Sequence, residues 1–289
     1  MSKPKYLEPI LKSIDKLPPF PETARKVLEL SRDEDVDYKE IINVIKYDEA
    51  VTSNCLKLCN SSYYGLSVKT FTIDQAVVIL GLKNIQMIAL ASSKELSDYS
   101  KTQEGYCYSA GELWKHSATT AIISQLLFKG KSHQEASVLF ASALLHDIGK
   151  IVLNKYIDKD IGNLVELARR EELSLVEAEK FVFGIEHAEL GGLIAENWQF
   201  PSMLCNAIKN HHKSPDTFIP NIEAWVRLSN LVYHVYLANS VYSHHREIIS
   251  RVKQSILFQF NLKQKDIDQL TTELPVELKK FESSLRLAL

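Results

Sequence analysis

Apolar residues recur at intervals of three and four positions through most of the 289-residue chain, as on one face of an α-helix. Only 10 glycines interrupt this pattern. The longest uninterrupted apolar runs, such as residues 76–80, are far shorter than the roughly 20 residues that cross a bilayer. The pattern therefore predicts an all-α protein without a membrane-spanning helix.

Several of these periodic segments carry their own start and stop signals. Gly81 and Gly184 follow two of them, and glycine favours the left-handed backbone that ends a helix. A hydroxyl or carboxylate residue followed three positions later by Glu or Gln has the spacing of a capping box, which begins a helix. Three pairs have this spacing: Asp37 with Glu40, Thr72 with Gln75, and Ser174 with Glu177.

Three stretches interrupt the helical pattern. Residues 17–23 contain three prolines, which fix the backbone and remove amide donors, so an extended connector is predicted. Residues 98–111 are polar with two glycines and are predicted to separate two lobes, and residues 213–221 are predicted as a loop. We expect a two-lobed helical bundle with these ranges: an N-terminal lobe of residues 1–100, a second lobe of 101–240, and a C-terminal helical extension of 241–289 that caps the bundle or forms a dimer contact.

The charge balance and the cysteines limit the class of protein. Lys and Arg number 34 and Asp and Glu number 36, so a net charge of −2 gives no general attraction for nucleic acid. The first residues have charges every few positions and lack the apolar stretch of a signal peptide. Cys55 and Cys59 lack a second pair that would complete a zinc site and are interpreted as buried thiols. A cytoplasmic protein that contacts neither nucleic acid nor membrane is expected.

The strongest candidate for chemistry is a His-Asp pair in an otherwise apolar helical segment. His146 and Asp147 are adjacent, and Lys150 lies one turn after His146. A carboxylate beside an imidazole can serve two metal ions, and a lysine on the face of the imidazole can neutralise a phosphoryl oxygen. Asp147 and Lys150 are therefore the candidate catalytic residues.

Further imidazoles and one carboxylate occur in three other stretches of the second half. Glu112 and His116 lie one helical turn apart, a spacing that suits convergence on one ion. His187 lies near a predicted helix start, and His211 and His212 end another helix. A single helical histidine is more often a packed or exposed residue than a ligand, but the grouping in one half of the chain favours a metal site.

The order His, then His-Asp with a following Lys, then His, then His-His resembles the HD phosphohydrolase superfamily. The segments LPPFPETARKVLEL, IKYDEAVTSNCLKLCNSSYYGL and TIDQAVVILGLKNIQMIAL are similar to the amino-terminal lobe of its HDOD branch. Proteins of the related HD-GYP branch have a Gly-Tyr-Pro loop, which helps handle cyclic di-GMP, after the His-His pair, whereas this chain has HHKSPDTFIPN. The resemblance covers about residues 10–235 and implies a second lobe with the fold of HD-type phosphodiesterases.

The resemblance also implies a metal cofactor and a set of ligands. Asn230, in WVRLSNLVYH, stands where the superfamily commonly has a metal-binding aspartate. A neutral amide at this position should weaken the binding of a second ion. The implied cofactor is one or two divalent ions of iron, manganese, nickel or magnesium. The implied ligands are Glu112, His116, His146, Asp147, His187, His211, His212 and Asn230.

Two functions from different classes remain open at this point. The HDOD-like first lobe, the missing Gly-Tyr-Pro loop and Asn230 favour a regulatory module of bacterial signal transduction with a protein partner. The retained histidines and acids favour a metal-dependent phosphohydrolase that acts on a nucleotide or another phosphodiester. A pocket that binds a nucleotide without cleaving it is a third alternative, and a homodimer is compatible with each of them.

Overall fold

The structure of the protein is a computed structural model. It describes residues 5–17, 19–33, 35–61, 64, 66, 70, 72–92, 104–106, 108–109, 111–128, 133–157, 163–213 and 260–288. Asn230, residues 214–221 of the predicted loop and residues 241–259 of the predicted extension lie outside the described residues.

The described residues form α-helices joined by turns and short connectors, and no β-strand occurs among them. This confirms the predicted all-α class. A short 3-10 turn, Glu104–Tyr106, precedes α6. The helices are α1 (Leu7–Ile14), α2 (Glu22–Leu30), α3 (Tyr38–Ile45), α4 (Glu49–Cys59), α5 (Ile73–Ala91), α6 (Glu112–Leu127), α7 (His133–Leu145), α8 (Ile148–Asn154), α9 (Leu164–Arg170), α10 (Leu175–Phe183), α11 (His187–Asn197), α12 (Ser202–Asn210) and α13 (Gln264–Ala288).

Helix ends follow the local signals of the sequence. Ser174 and Glu177 form a reciprocal capping box at the start of α10, and Gly184 ends this helix at a left-handed φ of 78°. Asp37 and Thr72 each accept a hydrogen bond from a backbone amide in the first turn of their helices. These contacts satisfy amides that have no partner inside the helix.

Gly81 was predicted to end a helix, and it breaks α5 instead of terminating it. Its φ of 72° is left-handed, and helical backbone resumes directly after it. Glycine adopts this conformation without a side-chain clash. The glycine therefore predicted the position of the break correctly, but it did not predict that helical backbone continues after the break.

The chain packs as two compact units, and each combines segments that are distant in sequence. The predicted lobes, in contrast, are contiguous ranges. The first unit contains residues 19–98, 130–137 and 272–289, and the second unit contains residues 1–18, 99–129 and 138–271.

The first unit is built around α5, which contacts α2, α3 and α4. Val27, Ile41 and Ile85 are fully buried in its core. Cys55 and Cys59 are buried free thiols of α4, as the sequence predicted. Their burial raises the pKa of Cys55 to about 12, so this thiol stays protonated and inert at neutral pH.

The second unit brings α11 against both α8 and α12. A side chain at Gly149 of α8 would overlap the backbone carbonyl of His187, so only glycine permits this approach. The stretch Glu135–Asn154 has the length and apolar character of a membrane span, but 94% of its most apolar window is buried inside the protein. Such burial is typical of a core helix.

Gly149→Ala should destabilise the protein strongly, because backbone atoms must move to accommodate the new methyl group. The expected loss in the free energy of unfolding is about 3 kcal/mol. Gly111→Ala is the control for a glycine substitution without a clash, since nothing lies within 4 Å of a methyl group added at Gly111 and only its left-handed φ of 79° is strained by a side chain. Urea unfolding should show a loss of only about 1 kcal/mol for the control, and equal losses in the two variants would contradict the close α8–α11 contact.

Candidate metal centre

Imidazoles from four helical stretches of the second unit meet around one carboxylate, Asp147. His146 and Asp147 link α7 to α8, and His116 lies in α6. His187 is the first residue of α11, and His211 directly follows α12. These five side chains are at most 1% exposed. Together with His212 they are called the Asp147 cluster.

The two oxygens of Asp147 face different imidazoles. Oδ2 lies 3.1 Å from Nε2 of His116 and 3.4 Å from Nε2 of His146. Oδ1 lies 3.2 Å from Nε2 of His187 and 4.0 Å from Nε2 of His211. The carboxylate therefore stands between two sets of imidazole nitrogens, which is the position of a bridging ligand.

Imidazole nitrogens also approach one another within each set. Nε2 of His116 lies 3.0 Å from Nε2 of His146, and Nε2 of His187 lies 2.8 Å from Nε2 of His212. Two metal–ligand bonds of about 2.1 Å place their ligand atoms at most about 4.2 Å apart. All of these separations are therefore compatible with ligands that share an ion.

Backbone carbonyls fix the orientation of two of the rings. Nδ1 of His146 lies 2.8 Å from the carbonyl oxygen of Ala143, and Nδ1 of His211 lies 2.7 Å from that of Ile208. A neutral imidazole that donates its Nδ1 proton has a lone pair on Nε2. Both rings therefore present a metal-binding nitrogen to Asp147.

Two buried acceptors of the cluster make no well-formed hydrogen bond. They are Nε2 of His211 and Oδ1 of Asp147, which lies 3.2 Å from Nε2 of His187. A buried polar atom without a well-formed hydrogen bond costs about 1–3 kcal/mol, and two acceptors cannot satisfy each other. A divalent cation is a partner that both atoms can share, and imidazole with carboxylate suits iron, manganese or nickel. The donors present thus fit a metal site.

Lys150 is engaged with the cluster. Its Nζ lies 2.7 Å from Oδ2 of Asp147, and the residue is 6% exposed. The ring centres of Tyr106 and Tyr108 lie 5.9 Å and 5.7 Å from the ammonium group. Burial alone would lower the pKa of Lys150, but the charge of Asp147 raises it above its ordinary value. The lysine therefore stays protonated and compensates the buried carboxylate.

Sequence reasoning missed Glu179, a fully buried residue of α10. Its Oε2 accepts hydrogen bonds from Nδ1 of His187 at 2.7 Å and from the backbone amide of His187 at 2.8 Å. Glu179 lies four positions after Leu175 and four before Phe183, on the apolar face of the helix. An acidic residue on an apolar face was the available signal.

One predicted ligand, Glu112, lies apart from the cluster, and another, Asn230, lies outside the described residues. Oε2 of Glu112 accepts a hydrogen bond of 2.6 Å from the backbone amide of Ser109, and the residue is exposed at the start of α6. Its carboxylate is absent from the groups of donor atoms that lie within 4.8 Å of one another in the described part of the chain. Asn230 lies outside that part.

Burial keeps three imidazoles of the metal-free cluster neutral. It lowers the pKa of His116 to about 3. His212 is exposed as a residue, but burial of its ring against His187 lowers its pKa to about 3 as well. Burial, together with the charge of neighbouring imidazoles, also holds the pKa of His211 well below its ordinary value. Neutral imidazole is the metal-binding form, so these residues are ready to bind an ion at neutral pH.

His187 and Asp147 are charged in the metal-free cluster. Burial alone would lower the pKa of His187, but Glu179 and Asp147 outweigh it and raise that pKa to about 9. Burial alone would raise the pKa of Asp147, but His146, Lys150 and the hydrogen bond from His116 hold it well below its ordinary value. The cluster thus contains a buried ion pair that a metal ion would replace, with loss of a proton from His187.

The sequence pattern of one known family covers most of the chain. The sequence pattern of the HDOD domain matches residues 17–214. The chain belongs to the HDOD family. The resemblance seen in the sequence is thereby confirmed, and the Asp147 cluster lies entirely within the matched range.

One curated relative and several solved structures are similar to this HDOD protein. An uncharacterized protein of Treponema pallidum (strain Nichols) is 24% identical over 207 residues, which span 70% of this chain and 39% of the relative. An HDOD domain protein of Geobacter sulfurreducens is 20% identical with a TM-score of 0.69, over 96% of this chain and 95% of its own.

Two further solved structures share the fold. A protein of Marinobacter aquaeolei VT8, named as a candidate signal transduction protein, is 16% identical with a TM-score of 0.72 over 96% of this chain and 61% of its own. A protein of Shewanella amazonensis SB2B, named as a candidate metal-dependent phosphohydrolase, is 18% identical with a TM-score of 0.55 over 98% of each chain. At these identities the similarity shows the helical HDOD fold.

The metal-free HDOD protein should lose stability on either side of about pH 6.5, the pKa of an unfolded histidine. His116 and His211, which are at most 1% exposed, have lower pKa values in the folded state, so below that pH the unfolded chain binds up to two more protons. The free energy of unfolding should then fall by up to about 3 kcal/mol per pH unit. Between about pH 6.5 and 9, the folded state instead holds the extra proton of His187, and the loss should be about 1.4 kcal/mol per unit.

Urea unfolding with excess chelator, from about pH 4.5 to 9, measures this profile. His212→Gln serves as the control variant, because His212 lies at the exposed rim of the cluster, where water screens its charge, so its loss should leave most of the acid slope in place. An acid slope that disappears in this variant would show that His212, and not the two buried imidazoles, is responsible for the profile.

Asp147→Asn should lower the affinity for divalent ions by more than about 100-fold, because it removes the charge that faces both sets of imidazoles. Glu112→Gln should change the affinity by less than about threefold, because its carboxylate accepts a hydrogen bond from the backbone amide of Ser109 and lies outside the cluster. Chelator competition and elemental analysis of the reconstituted protein provide the measurement. A comparable loss in the two variants would restore Glu112 as a ligand.

Proposed function

We propose that this HDOD protein is a regulatory module of bacterial signal transduction that binds a protein partner, and that a divalent ion in the Asp147 cluster stabilises it. The observation that carries the proposal is the state of Lys150. Its ammonium is bonded to Asp147 and lies beneath the rings of Tyr106 and Tyr108, so the cation that a hydrolase needs for a phosphoryl oxygen is already engaged.

The burial of the cluster supports a structural role for the ion. His146, Asp147 and His211 are 0% exposed, and substrate-binding groups need access to a cleft. An ion held there would connect α6, the α7–α8 junction, α11 and α12. Such a cross-link stabilises the folded chain by mass action, because the unfolded chain cannot assemble the site.

A metal-dependent phosphohydrolase is the second candidate, and one observation favours it. The donor atoms form two groups, His116 with His146 and Asp147, and His187 with His211 and His212. A site with two ions would supply an activated water for attack on phosphorus. In this role Asp147 bridges the two groups, and Lys150 leaves it to stabilise the phosphoryl charge of a nucleotide or another phosphodiester.

The remaining assignments belong to the same proposal. A protein of the signalling pathway is the partner, the module acts in the cytoplasm, and the C-terminal extension caps the bundle or contacts a second copy of the chain. The name of the Marinobacter relative as a candidate signal transduction protein agrees with this role.

Removal of the ion should destabilise the protein. It should abolish no enzymatic activity, because the proposed role of the ion is structural. With free metal at about 1,000 times its dissociation constant, the ion should contribute about 4 kcal/mol to stability. Chelation should therefore lower the melting temperature of the wild type, and Asp147→Asn should be insensitive to chelator. Differential scanning calorimetry measures both effects.

The same samples test whether the protein is a phosphohydrolase. Protein reconstituted with iron, manganese, nickel or magnesium should hydrolyse neither mononucleotides nor linear or cyclic dinucleotides above the level of Asp147→Asn. Turnover that requires the metal and is lost in this variant would replace the regulatory role with the phosphohydrolase.

A further inference from the structure

A tyrosine outside the Asp147 cluster is connected to it by a chain of hydrogen bonds. The hydroxyl of Tyr106 donates to Oε1 of Glu179 at 2.8 Å, and Oε2 of the same carboxylate accepts from Nδ1 of His187 at 2.7 Å. Nε2 of His187 lies 3.2 Å from Oδ1 of Asp147. Tyr106 is 3% exposed and Glu179 is 0% exposed, so water does not compete for these bonds.

The turn that carries Tyr106 is fixed by helices of the second unit. The backbone amide of Gly105 donates to Oδ1 of Asn154 at 3.2 Å, at the end of α8. A side chain at Gly105 would overlap Ile157, so the turn packs closely against the residues that follow α8. Tyr106 is thereby tied to the helix whose first turn follows Asp147.

The two oxygens of Glu179 accept hydrogen bonds from different residues. Oε2 receives both donors of His187, its ring nitrogen and its backbone amide, whereas Oε1 receives the hydroxyl of Tyr106. A carboxylate held at both oxygens cannot rotate about its terminal bond without losing a hydrogen bond in a buried environment. The ring of His187 is therefore held with Nδ1 as donor and Nε2 directed at Asp147.

We propose that Tyr106 is a positioning residue of the metal site, which acts through Glu179 to fix the ring of His187 as a ligand. This inference rests on the proposed metal binding by the Asp147 cluster. Tyr106 touches neither the ion nor a substrate, and its contribution is the geometry of His187. The 3-10 turn before α6 thereby becomes part of the metal site.

Tyr106→Phe is the decisive variant, because it keeps the ring and removes only the hydroxyl. Glu179→Gln keeps the shape of the side chain and removes the negative charge that accepts the hydrogen bond from Nδ1 of His187. Tyr156→Phe is the matched control, since the Tyr156 hydroxyl donates to the carbonyl oxygen of Pro9 in an exposed hydrogen bond. The 289-residue chain is used throughout, with Co²⁺ as the probe ion.

Two readouts separate positioning from a general loss of stability. The Co²⁺ affinity is measured by chelator competition, and the visible absorption of bound Co²⁺ reports its ligand geometry. Circular dichroism confirms folding, and the melting temperature of each metal-free variant is recorded for comparison. A residue that only supports packing would change this temperature without changing the Co²⁺ spectrum.

Glu179→Gln should lower the Co²⁺ affinity about 10- to 100-fold, and Tyr106→Phe about 3- to 10-fold, each with an altered Co²⁺ spectrum. Tyr156→Phe should match the wild type in both readouts. If the wild type binds Co²⁺ and Tyr106→Phe changes its affinity less than twofold with an unaltered spectrum, this inference is overturned while the metal site stands. If the wild type binds no Co²⁺, the proposed metal site fails and the positioning role fails with it.

Discussion

The negative charge of Asp147 is buried at the junction of α7 and α8, and this charge must be compensated. An isolated carboxylate in a protein interior costs far more free energy than the fold can supply. Lys150 compensates one oxygen directly, at 2.7 Å from Oδ2. The other oxygen faces His187. The imidazole of His187 is positively charged, because the carboxylate of Glu179 at its Nδ1 stabilises the protonated form. The cluster is thus an arrangement of alternating charges, and the surrounding helices hold it together.

Close helix packing makes this arrangement possible. Gly149 lets the backbone of α8 approach the carbonyl of His187, which brings the start of α11 beside the junction that carries Asp147. The capping box of α10, formed by Ser174 and Glu177, fixes the helix that presents Glu179.

The same compensation bears on function within the HDOD family. The cluster is neutralised by its own lysine and imidazoles, which agrees with the proposed regulatory module. The two acceptors without a well-formed hydrogen bond, Oδ1 of Asp147 and Nε2 of His211, still favour a cation. Metal binding and catalysis are therefore separable properties of this fold, and the buried donors support only the proposed metal binding. The contacts of Lys150 with Asp147 and the two tyrosines support the regulatory proposal.

The sequence alone determined the helical class, the helix signals at Ser174 and Gly184, and the meeting of His116, His146, His187 and His211 around Asp147. The helical class and the helix ends follow from local patterns along the chain. The meeting of the imidazoles follows from their order along the chain, which resembles that of the HD superfamily. The tertiary structure alone decided that Glu179 and Tyr106 support His187, that Lys150 is bonded to Asp147, and that Glu112 is bonded to the backbone amide of Ser109. These depend on which faces of separate helices meet, and the energies of such pairings arise only once the chain is packed.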